Sequence, residues 1–324
     1  MKAVIIVPTP DGGRIGVQDV PDPRPTESEV LVRVHAAAVN RGEIGVRKAA
    51  RAGSPMRNGI EFAGEVIELG REAKSVAVGT RVMGHWQGGQ AELVAVDPRL
   101  LVPIPDRLSW IEAAAWLNVF CTAHDAIVTH ARLQRGESIL INAASSGIGV
   151  ASLQIARWAG AAPIIATSRV AAKLTVLNSY GMDVGIDSSG ADWPDAVLEA
   201  TKGKGVDVVV DSVGAEALAG NLRCLLLLGR LVSVGRLSGQ RAEIDLDRLA
   251  LRRLTIVGVT FRTRSLDERV ACIRRCAADL LGPLERGEVN PVVDRVFALE
   301  QIEHAHQYLE RNSHIGKVVL TIVP

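Results

Sequence analysis

Residues 138–149, with the sequence SILINAASSGIG, have types and spacing suited to holding a phosphate group. A short apolar strand pattern ends at small residues, and helical periodicity begins at residue 148. The positive end of such a helix and its free N–H groups let a pyrophosphate approach the backbone. At the three glycine positions of the pattern G-x-G-x-x-G the chain has Ala144, Ser146 and Gly149, so the match is incomplete. The alternative is a tight strand–helix turn without a ligand. The predicted phosphate contacts are Ser145, Ser146, Gly147, Ile148 and Gly149.

The end of the next predicted strand bears on the choice of cofactor. A fold that prefers NAD places an acidic residue about 20 positions after the phosphate loop, on the ribose 2′-hydroxyl. Residues 166–173 here read ATSRVAAK and contain no carboxylate. Ser168, Arg169 and Lys173 offer hydrogen-bond donors and positive charge to a 2′-phosphate. The sequence therefore favours NADPH, and the alternative is a solvated start of a helix.

The cysteines and paired histidines do not form a convincing metal site. Cys272 and Cys276 lie one helical turn apart, but no further Cys or His stands nearby at ligand spacing. We expect both to pack in the core. His304 and His306 resemble a metal pair in spacing, and we expect each to lie on a solvated helix surface.

The elements that would position these residues fall into two patterns. The first third alternates short β-branched runs with Gly and Pro, which predicts an irregular, mostly β domain. A helical, alanine-rich stretch follows over residues 111–129. From residue 137, continuous apolar strands alternate with amphipathic helices, which predicts a doubly wound α/β domain with a parallel sheet. Residues 292–324 then read as a β–helix–β segment that returns to the first domain.

Composition narrows the class of protein. The chain has 324 residues, 48% of them hydrophobic, and a formal net charge of +1, so we expect two domains and no nucleic-acid partner. The first seven residues form an apolar strand-like run without the features of a secretory signal. No apolar stretch reaches membrane-spanning length. We expect a cytoplasmic enzyme.

With these features, the chain resembles the zinc-independent quinone oxidoreductase branch of the medium-chain dehydrogenase/reductase superfamily. The resemblance spans essentially residues 1–324. It is carried by AVNRGE at 38–43, GIEFAG at 59–64, GTRV at 79–82, CTA at 121–123, DSVG at 211–214 and NSHIGK at 312–317. The branch often has A-x-x-G-x-x-G at its phosphate loop, and here Ser146 replaces the middle glycine.

The resemblance implies a fold and a cofactor site. Residues 1–115, completed by 285–324, would form a GroES-like, mostly β domain, and residues 116–284 a Rossmann domain with a doubly wound parallel sheet. NADPH would lie between them. Asn40 and Thr122 would orient the substrate or the nicotinamide. Backbone around Val213, Gly235, Val259 and Thr260, together with Asn312 and Lys317, would complete the cofactor contacts.

Zinc alcohol dehydrogenases share this architecture but not these residues. They place a Cys ligand in the segment that corresponds to 40–43, and a His where this chain has Ile60. A zinc site needs three or four well-placed ligands, so we predict no metal. Without a Lewis acid, an acceptor that delocalises its own negative charge is favoured over a simple ketone. We therefore predict a quinone or a small α,β-unsaturated carbonyl as substrate.

Two other functions remain open. Some enoyl reductases of the superfamily use a tyrosine as proton donor, but Tyr180 and Tyr308 do not fall in the matching segments. An enoyl-thioester or alkenal reductase is nevertheless an alternative. A non-catalytic NADPH-binding sensor or structural protein is another, because fold alone does not establish function.

Five residues carry structural expectations. Glu61 lies between apolar neighbours, and we expect an arginine, Arg41 or Arg81, to pair with it. Asn40 could alternatively only cap a turn. His35 is expected to pack in a strand, whereas His85, with Trp86, would line the substrate site or lie in a surface turn.

One predicted strand suggests assembly. Residues 254–261, LTIVGVTF, are β-branched and uncharged, as an edge strand open to a second copy would be. The resemblance also implies dimers formed through the nucleotide-binding sheets, so we expect a homodimer. The alternative is an edge covered by the same chain.

Overall fold

The computed structural model describes residues 1–322, which divide into two compact units. Unit 1 comprises Met1–Asn118, Arg269–Leu281 and the residues from Pro291 onward, and unit 2 comprises Val119–Glu268 and Gly282–Asn290. Our expected division, 1–115 with 285–324 against 116–284, assigned residues 269–281 to the other unit. Residues 323 and 324, at the end of the expected β–helix–β segment, lie outside the described residues.

The elements follow one another with short connections. Up to residue 114 they are β1 (Lys2–Val7), β2 (Arg14–Asp19), β3 (Val30–Val39), α1 (Arg41–Ala49), β4 (Met56–Arg57), β5 (Phe62–Leu69), β6 (Arg81–Gly84), β7 (Leu93–Val96), β8 (Leu101–Pro103) and α2 (Trp110–Ala114). The next are α3 (Leu117–His124), β9 (Ile139–Ile141), α4 (Gly147–Trp158), β10 (Ile164–Ser168), α5 (Ala171–Leu177), β11 (Val184–Asp187), α6 (Trp193–Ala200), β12 (Val206–Asp211), α7 (Leu218–Cys224), β13 (Leu225–Ser233), α8 (Leu246–Leu251), β14 (Thr255–Gly258) and α9 (Leu266–Glu285). The last are β15 (Val293–Ala298), α10 (Ile302–Glu310) and β16 (Lys317–Thr321).

Unit 1 is built on two sheets. The larger has the strand order β15-β16-β3-β5-β6-β8, with β7 also paired to β3, and the smaller has the order β2-β1-β4. Strand β3 is buried along almost its whole length, as its alanine- and valine-rich sequence predicts. Gly64 of β5 lies so close to β3 that an added Cβ would stand 2.2 Å from the carbonyl oxygen of Arg33.

The C-terminal strand β16 brings distant residues together in unit 1. It runs antiparallel to β3, with Val318 opposite Val39. Lys317 begins β16 and Asn40 follows β3, so this register brings two residues distant in sequence to the same end of the sheet. The predicted return of the C-terminal segment to the first domain is therefore confirmed.

Unit 2 has the predicted doubly wound fold. Its six parallel strands stand in the order β11-β10-β9-β12-β13-β14, which reverses direction next to β9, the strand before the phosphate loop. Ligands bind such sheets at the carboxyl ends of the strands where the order reverses. Strand β14 is an edge of this sheet, as the sequence predicted for residues 254–261.

The alanine-rich stretch departs from the predicted single helix. It forms α2 and α3, and a π-helix, Asp125–His130, follows α3 directly. A π-helix is rare and often marks a functional segment. Among residues 1–322 no helix is long and apolar enough to cross a membrane.

Candidate active site

The phosphate loop begins α4 as a helix capped by its own serine. Ser146 is the N-cap residue, and its hydroxyl accepts a hydrogen bond from the backbone N–H of Gly149 at 3.1 Å. A Cβ at position 149 would lie 2.6 Å from backbone atoms of Ala143 and Ala144, so only glycine allows this close packing of strand and helix. Ser145, Gly147 and Ile148 are half-buried at the same helix end. The loop therefore has the geometry of an anion site.

The end of β10 carries the residues expected at a 2′-phosphate. The hydroxyl of Ser168 donates to the carbonyl of Val170 at 3.1 Å and accepts from its N–H at 3.2 Å, so this serine shapes the turn into α5. Arg169 is exposed and Lys173 is half-buried. No carboxylate occurs between residues 166 and 173. This strand end therefore presents positive charge.

Beneath the phosphate loop, a strand-end cluster of Asn142, Thr167, Asp211 and Asn221 joins the central strands. The hydroxyl of Thr167 donates to Asn142 Oδ1 at 2.8 Å, and the amide of Asn142 donates to that of Asn221. Asp211, which is 1% exposed, ends β12. Burial raises the pKa of its carboxyl, while backbone N–H groups act against that rise.

Asp211 also shapes the segment that carries Val213. Its two carboxylate oxygens accept from the backbone N–H groups of Val213 at 2.8 Å and Gly214 at 3.1 Å. Gly235, at the end of the neighbouring strand, would place a Cβ 2.4 Å from the carbonyl oxygen of Ser212. The turns after β12 and β13 are thus packed backbone against backbone, which explains a small residue at position 235.

Unit 1 holds a second polar group, the lysine–glutamate cluster, at the end of β3. The ammonium of Lys317 donates to Glu61 Oε1 at 2.5 Å and to Asn40 Oδ1 at 2.6 Å. Asn40 donates to the same Glu61 oxygen at 3.0 Å. Asn118 donates its backbone N–H to Glu61 Oε2 and its amide to Asn40 Oδ1, both at 3.0 Å. The amide of Asn40 is therefore engaged on both its oxygen and its nitrogen.

The cluster continues to a second buried carboxyl, Glu43. It accepts from Asn40 at 3.2 Å, from Gln90 at 2.9 Å and from Asn58 at 3.4 Å. Burial raises the pKa of Glu43 to about 7, although hydrogen bonds from Asn40 and the charge of Lys317 oppose the rise. The nearby negative charge of Glu61 acts in the same direction as burial and also raises the pKa of Glu43.

The predicted partner of Glu61 was wrong. Arg41 donates to the carbonyl of Leu309 at 2.8 Å and to Asn312, and Arg81 donates to the carbonyl of Leu108 at 2.6 Å. Lys317 is the cation that pairs with Glu61, because the register of β16 beside β3 brings it there. Lys317, predicted only as a cofactor contact, is 4% exposed.

The histidines fall into three environments. His35 stacks on Trp110 with ring centroids 4.4 Å apart, as a packing role predicts. His85 is buried beside Asn118, which excludes the surface turn, and burial lowers its pKa to about 4. His304 is exposed as expected, but His306 is fully buried, so its expected solvated position was wrong. Burial lowers the pKa of His306 to about 4 because its face of α10 packs into the core.

The remaining predicted residues are distributed over both units. Unit 1 brings Asn40 and Lys317 together and leaves Asn312 exposed at a turn, where its side chain accepts from Arg41. Thr122, half-buried on α3, belongs to unit 2. Asn40 is the N-cap residue of α1, but its side chain makes no capping bond and its amide is instead bonded within the lysine–glutamate cluster.

Sequence reasoning missed four polar members of the lysine–glutamate cluster. A shared signal is a polar residue in an apolar or glycine-rich context, which predicts burial with a partner. That signal does not reveal which partner each residue finds. The missed residues are Glu43, Asn58, Gln90 and Asn118.

The residues present do not fit a zinc ion. Within residues 1–322 no three His, Cys, Asp or Glu side chains are grouped so that they could hold a metal. Ile60 offers no ligand atom, and the carboxylates of Glu43 and Glu61 are committed to amide and ammonium donors. Cys272 and Cys276 are buried thiols, as expected from packing.

Two family models match the chain. Residues 26–106 match the alcohol dehydrogenase GroES-like domain, and residues 147–276 match a model described as zinc-binding dehydrogenase. The matches fall on the mostly β part of unit 1 and on the doubly wound sheet of unit 2.

Curated relatives differ in length from this chain. The quinone oxidoreductase-like protein 2 homolog of Nematostella vectensis is 29% identical over 299 residues, which cover 90% of this chain and 81% of that protein. A phenolphthiocerol/phthiocerol polyketide synthase polypeptide of Mycobacterium tuberculosis is 31% identical over 312 residues, or 95% of this chain. The chain spans only 14% of that synthase polypeptide.

Solved structures share the whole fold. A structure described as an NAD-dependent alcohol dehydrogenase has a TM-score of 0.88 at 30% identity, and each chain is covered completely. A mycobacterial protein complexed with NADPH has a TM-score of 0.89 at 26% identity, with 99% of this chain and all of that chain covered. The CurK enoyl reductase has a TM-score of 0.84 at 25% identity and the same coverage.

Proposed function

Because the chain belongs to the medium-chain dehydrogenase/reductase superfamily, we propose that it is a zinc-independent, NADPH-dependent reductase of quinones or small α,β-unsaturated carbonyl compounds. The observation that carries the cofactor assignment is the end of β10. Arg169 and Lys173 offer positive charge there. Residues 166–173 contain no carboxylate that could repel a 2′-phosphate. The NADPH complex of the mycobacterial neighbour supports this assignment, whereas the NAD-dependent neighbour makes the cofactor worth testing directly.

The cofactor would be held by unit 2. The N-terminus of α4, with Ser146 and Gly149, suits the pyrophosphate, and Arg169 with Lys173 suits the 2′-phosphate. Val213, Gly235, Val259 and Thr260 follow the carboxyl ends of β12, β13 and β14 and suit the other half of the molecule. When bound, NADPH supplies the hydride.

The acceptor class follows from the charges in unit 1. Negative charge develops on the acceptor oxygen during reduction and must be stabilised by donors or delocalised. The ammonium of Lys317 is neutralised by Glu61 at 2.5 Å, and Asn40 is held by both. Such a balanced cluster offers little net charge to an alkoxide. Quinones and conjugated carbonyls delocalise the charge themselves, so they suit this chain best, with Asn40 and Thr122 as orienting residues.

The cofactor proposal is tested with the variant Arg169→Ala/Lys173→Ala. Removing both positive charges should raise KM for NADPH by about tenfold or more, because charge-assisted contacts to a phosphate are lost. The KM for NADH, which lacks the 2′-phosphate, should stay nearly unchanged. Steady-state kinetics with both cofactors measure this, and equal losses with NADPH and NADH would contradict the assignment.

A second candidate, reduction of an enoyl thioester, is favoured by the likeness to the CurK enoyl reductase and to the polyketide synthase. Tyr308 does not suit the role of the proton donor, because its phenol already donates a hydrogen bond to Asp294 at 2.6 Å. Comparing kcat/KM for a quinone, an alkenal and an enoyl thioester decides between the candidates. Binding of NADPH without turnover of any acceptor would instead indicate a sensor or structural protein.

The metal proposal has its own test. Since the described residues offer no zinc donor set, active protein should contain no stoichiometric zinc, and chelators should leave kcat unchanged. Elemental analysis of the active protein measures this directly. Zinc required for turnover would contradict the proposal.

We also propose a homodimer formed through β14. The strand is an edge of its sheet, and Ile256 and Val257 are only half-buried, so its outer backbone groups are open to pairing. A two-fold partner would satisfy them in a closed interface. Sedimentation at micromolar concentration should give twice the monomer mass, and Val257→Pro should shift it toward monomer. A wild-type monomer would end the idea.

A further inference from the structure

An ion pair in unit 2, between a buried carboxylate and a half-buried guanidinium, links the π-helix after α3 to the loop after β14. Asp125, the first residue of the π-helix after α3, is 2% exposed and accepts from the guanidinium of Arg264 at 2.5 Å. The same guanidinium donates through Nε to the carbonyl of Thr260 at 2.9 Å and lies 5.3 Å from the ring centre of Phe261. His130 stands 3.5 Å from the same Asp125 oxygen. Arg264 thus fixes the loop after β14 to the π-helix that directly follows α3, the helix of Thr122.

The position of this loop in the sheet indicates which part of a cofactor it meets. The pyrophosphate site at α4 follows the central strand β9, and the 2′-phosphate residues follow β10 on one side of it. A dinucleotide that extends across the sheet must therefore place its nicotinamide half on the other side, over β12, β13 and β14. Val259 donates its N–H to the carbonyl of Ser233 and directly follows β14. The segment that Arg264 holds follows Val259 directly in the chain.

We propose that Asp125 and Arg264 are a positioning pair, which sets the residues 259–264 and thereby the nicotinamide end of bound NADPH. This inference rests on the proposed function. The pair acts through backbone: Arg264 holds the carbonyl of Thr260, and Asp125 holds Arg264 in the one orientation that reaches it. Hydride transfer depends on the placement of the reacting carbon, so a loop displaced by a fraction of an ångström lowers kcat.

The test separates the two halves of the cofactor. Binding of NADPH is compared with binding of 2′-phospho-ADP-ribose, which lacks the nicotinamide, in the wild type and in Asp125→Asn and Arg264→Gln. Both variants should weaken NADPH about tenfold and lower kcat, because a charge-assisted bond to the loop is lost. The affinity for 2′-phospho-ADP-ribose should stay within about twofold, since its contacts lie over β9 and β10.

A matched ion pair in the same unit supplies the control. Arg230 binds both carboxylate oxygens of Glu137, at 2.8 and 2.6 Å, and donates to the carbonyl of Ala131 at 3.0 Å. Glu137 precedes β9, so this pair lies at the amino ends of the strands. Glu137→Gln should lower thermal stability without changing the ratio of the two affinities.

Three outcomes decide the proposal. A selective loss of NADPH binding in Asp125→Asn or Arg264→Gln, absent from Glu137→Gln, supports it. Equal weakening of both ligands, or an unchanged ratio, overturns it and leaves the pair a structural one. If Asp125→Asn does not fold, Arg264→Lys, which keeps the charge but not the two-armed geometry, must show the same selective loss. Wild-type protein that binds neither ligand refutes the proposed function itself.

Discussion

The two units bury polar groups in different ways. In unit 2, the carboxylate of Asp211 is held by the backbone N–H groups of residues two and three positions further on. In unit 1, the carboxylate of Glu61 is held by Lys317, which lies 256 positions away in sequence. Asp211 is thus held by a local turn, whereas Glu61 is held by strand register.

This difference separates what each cluster contributes. Backbone donors keep Asp211 in place whatever the rest of the chain does, so the turn to Val213 is shaped locally. The pair of Glu61 and Lys317 exists only when β16 lies beside β3. A buried ion pair is weak evidence for net stability, but removing one partner leaves a costly unpaired charge. The lysine–glutamate cluster therefore makes the end of the chain essential to unit 1.

The largest effect is expected from Lys317→Met. It leaves the buried carboxylate of Glu61 without its cation, and should lower the free energy of unfolding by about 3–5 kcal/mol. Chemical denaturation measures this loss. The double variant Lys317→Met/Glu61→Gln should recover part of it, because no unpaired charge then remains. A single variant as stable as the wild type would show that the pair is not buried as described.

The pH dependence of unit 1 sharpens the comparison further. Glu43 has its pKa raised from 4.5 to about 7, so its contribution to stability is fully present below pH 4.5 and is lost as pH rises through about 7. Wild-type protein should lose about 3 kcal/mol relative to Glu43→Gln across that range. Denaturant titrations at several pH values measure the difference between the two proteins. Parallel pH profiles would contradict a raised pKa at this carboxyl.

Two histidines change the stability in the opposite direction with pH, and their effect cancels when the wild type is compared with Glu43→Gln. Burial lowers the pKa of His85 and of His306 from 6.5 to about 4. Their unfolded forms bind protons first, so stability is lost as pH falls from about 6.5 toward 4. Because both histidines are present in both proteins, the difference between the two profiles reports Glu43 alone.

The same contrast explains what could be predicted from sequence. Local signals predicted the doubly wound fold, the phosphate loop and the edge strand, because periodicity and turn residues act over a few positions. Strands were predicted where the structure has β1 and β14. The partner of Glu61 was not predicted correctly, because two arginines lie nearer to it in sequence. Only the pairing of β16 with β3 brings Lys317 to Glu61.

Burial of single side chains was also beyond the sequence. His304 and His306 are two positions apart on α10, and a helix turns them to different faces, one exposed and one buried. The face that packs depends on which strands lie beneath the helix. Similarly, the sequence gives no signal for the division of the alanine-rich stretch into α2, α3 and a π-helix. An almost uniformly apolar stretch is compatible with any helical period.

The smallest expected effect concerns Asp211 of the strand-end cluster. Asp211→Asn keeps one oxygen for the N–H of Val213 and loses the second acceptor, which leaves the N–H of Gly214 without its carboxylate partner. The substitution also removes a buried charge whose pKa burial already raises, and this offsets part of the loss. We expect the free energy of unfolding to fall by about 1 kcal/mol.

Asp187 offers a matched control for that variant. It is the last residue of β11 in the same sheet and accepts from the backbone N–H of Ser189 at 2.8 Å, but it is exposed, so water replaces a lost bond. Asp187→Asn should therefore change stability by less than about 0.5 kcal/mol. Denaturation of both variants under one condition gives the comparison. If Asp187→Asn costs as much as Asp211→Asn, burial adds nothing to the turn after β12. A larger cost at Asp211 means that the buried carboxylate stabilises its turn by more than an exposed one does, because water cannot replace the bond that it loses.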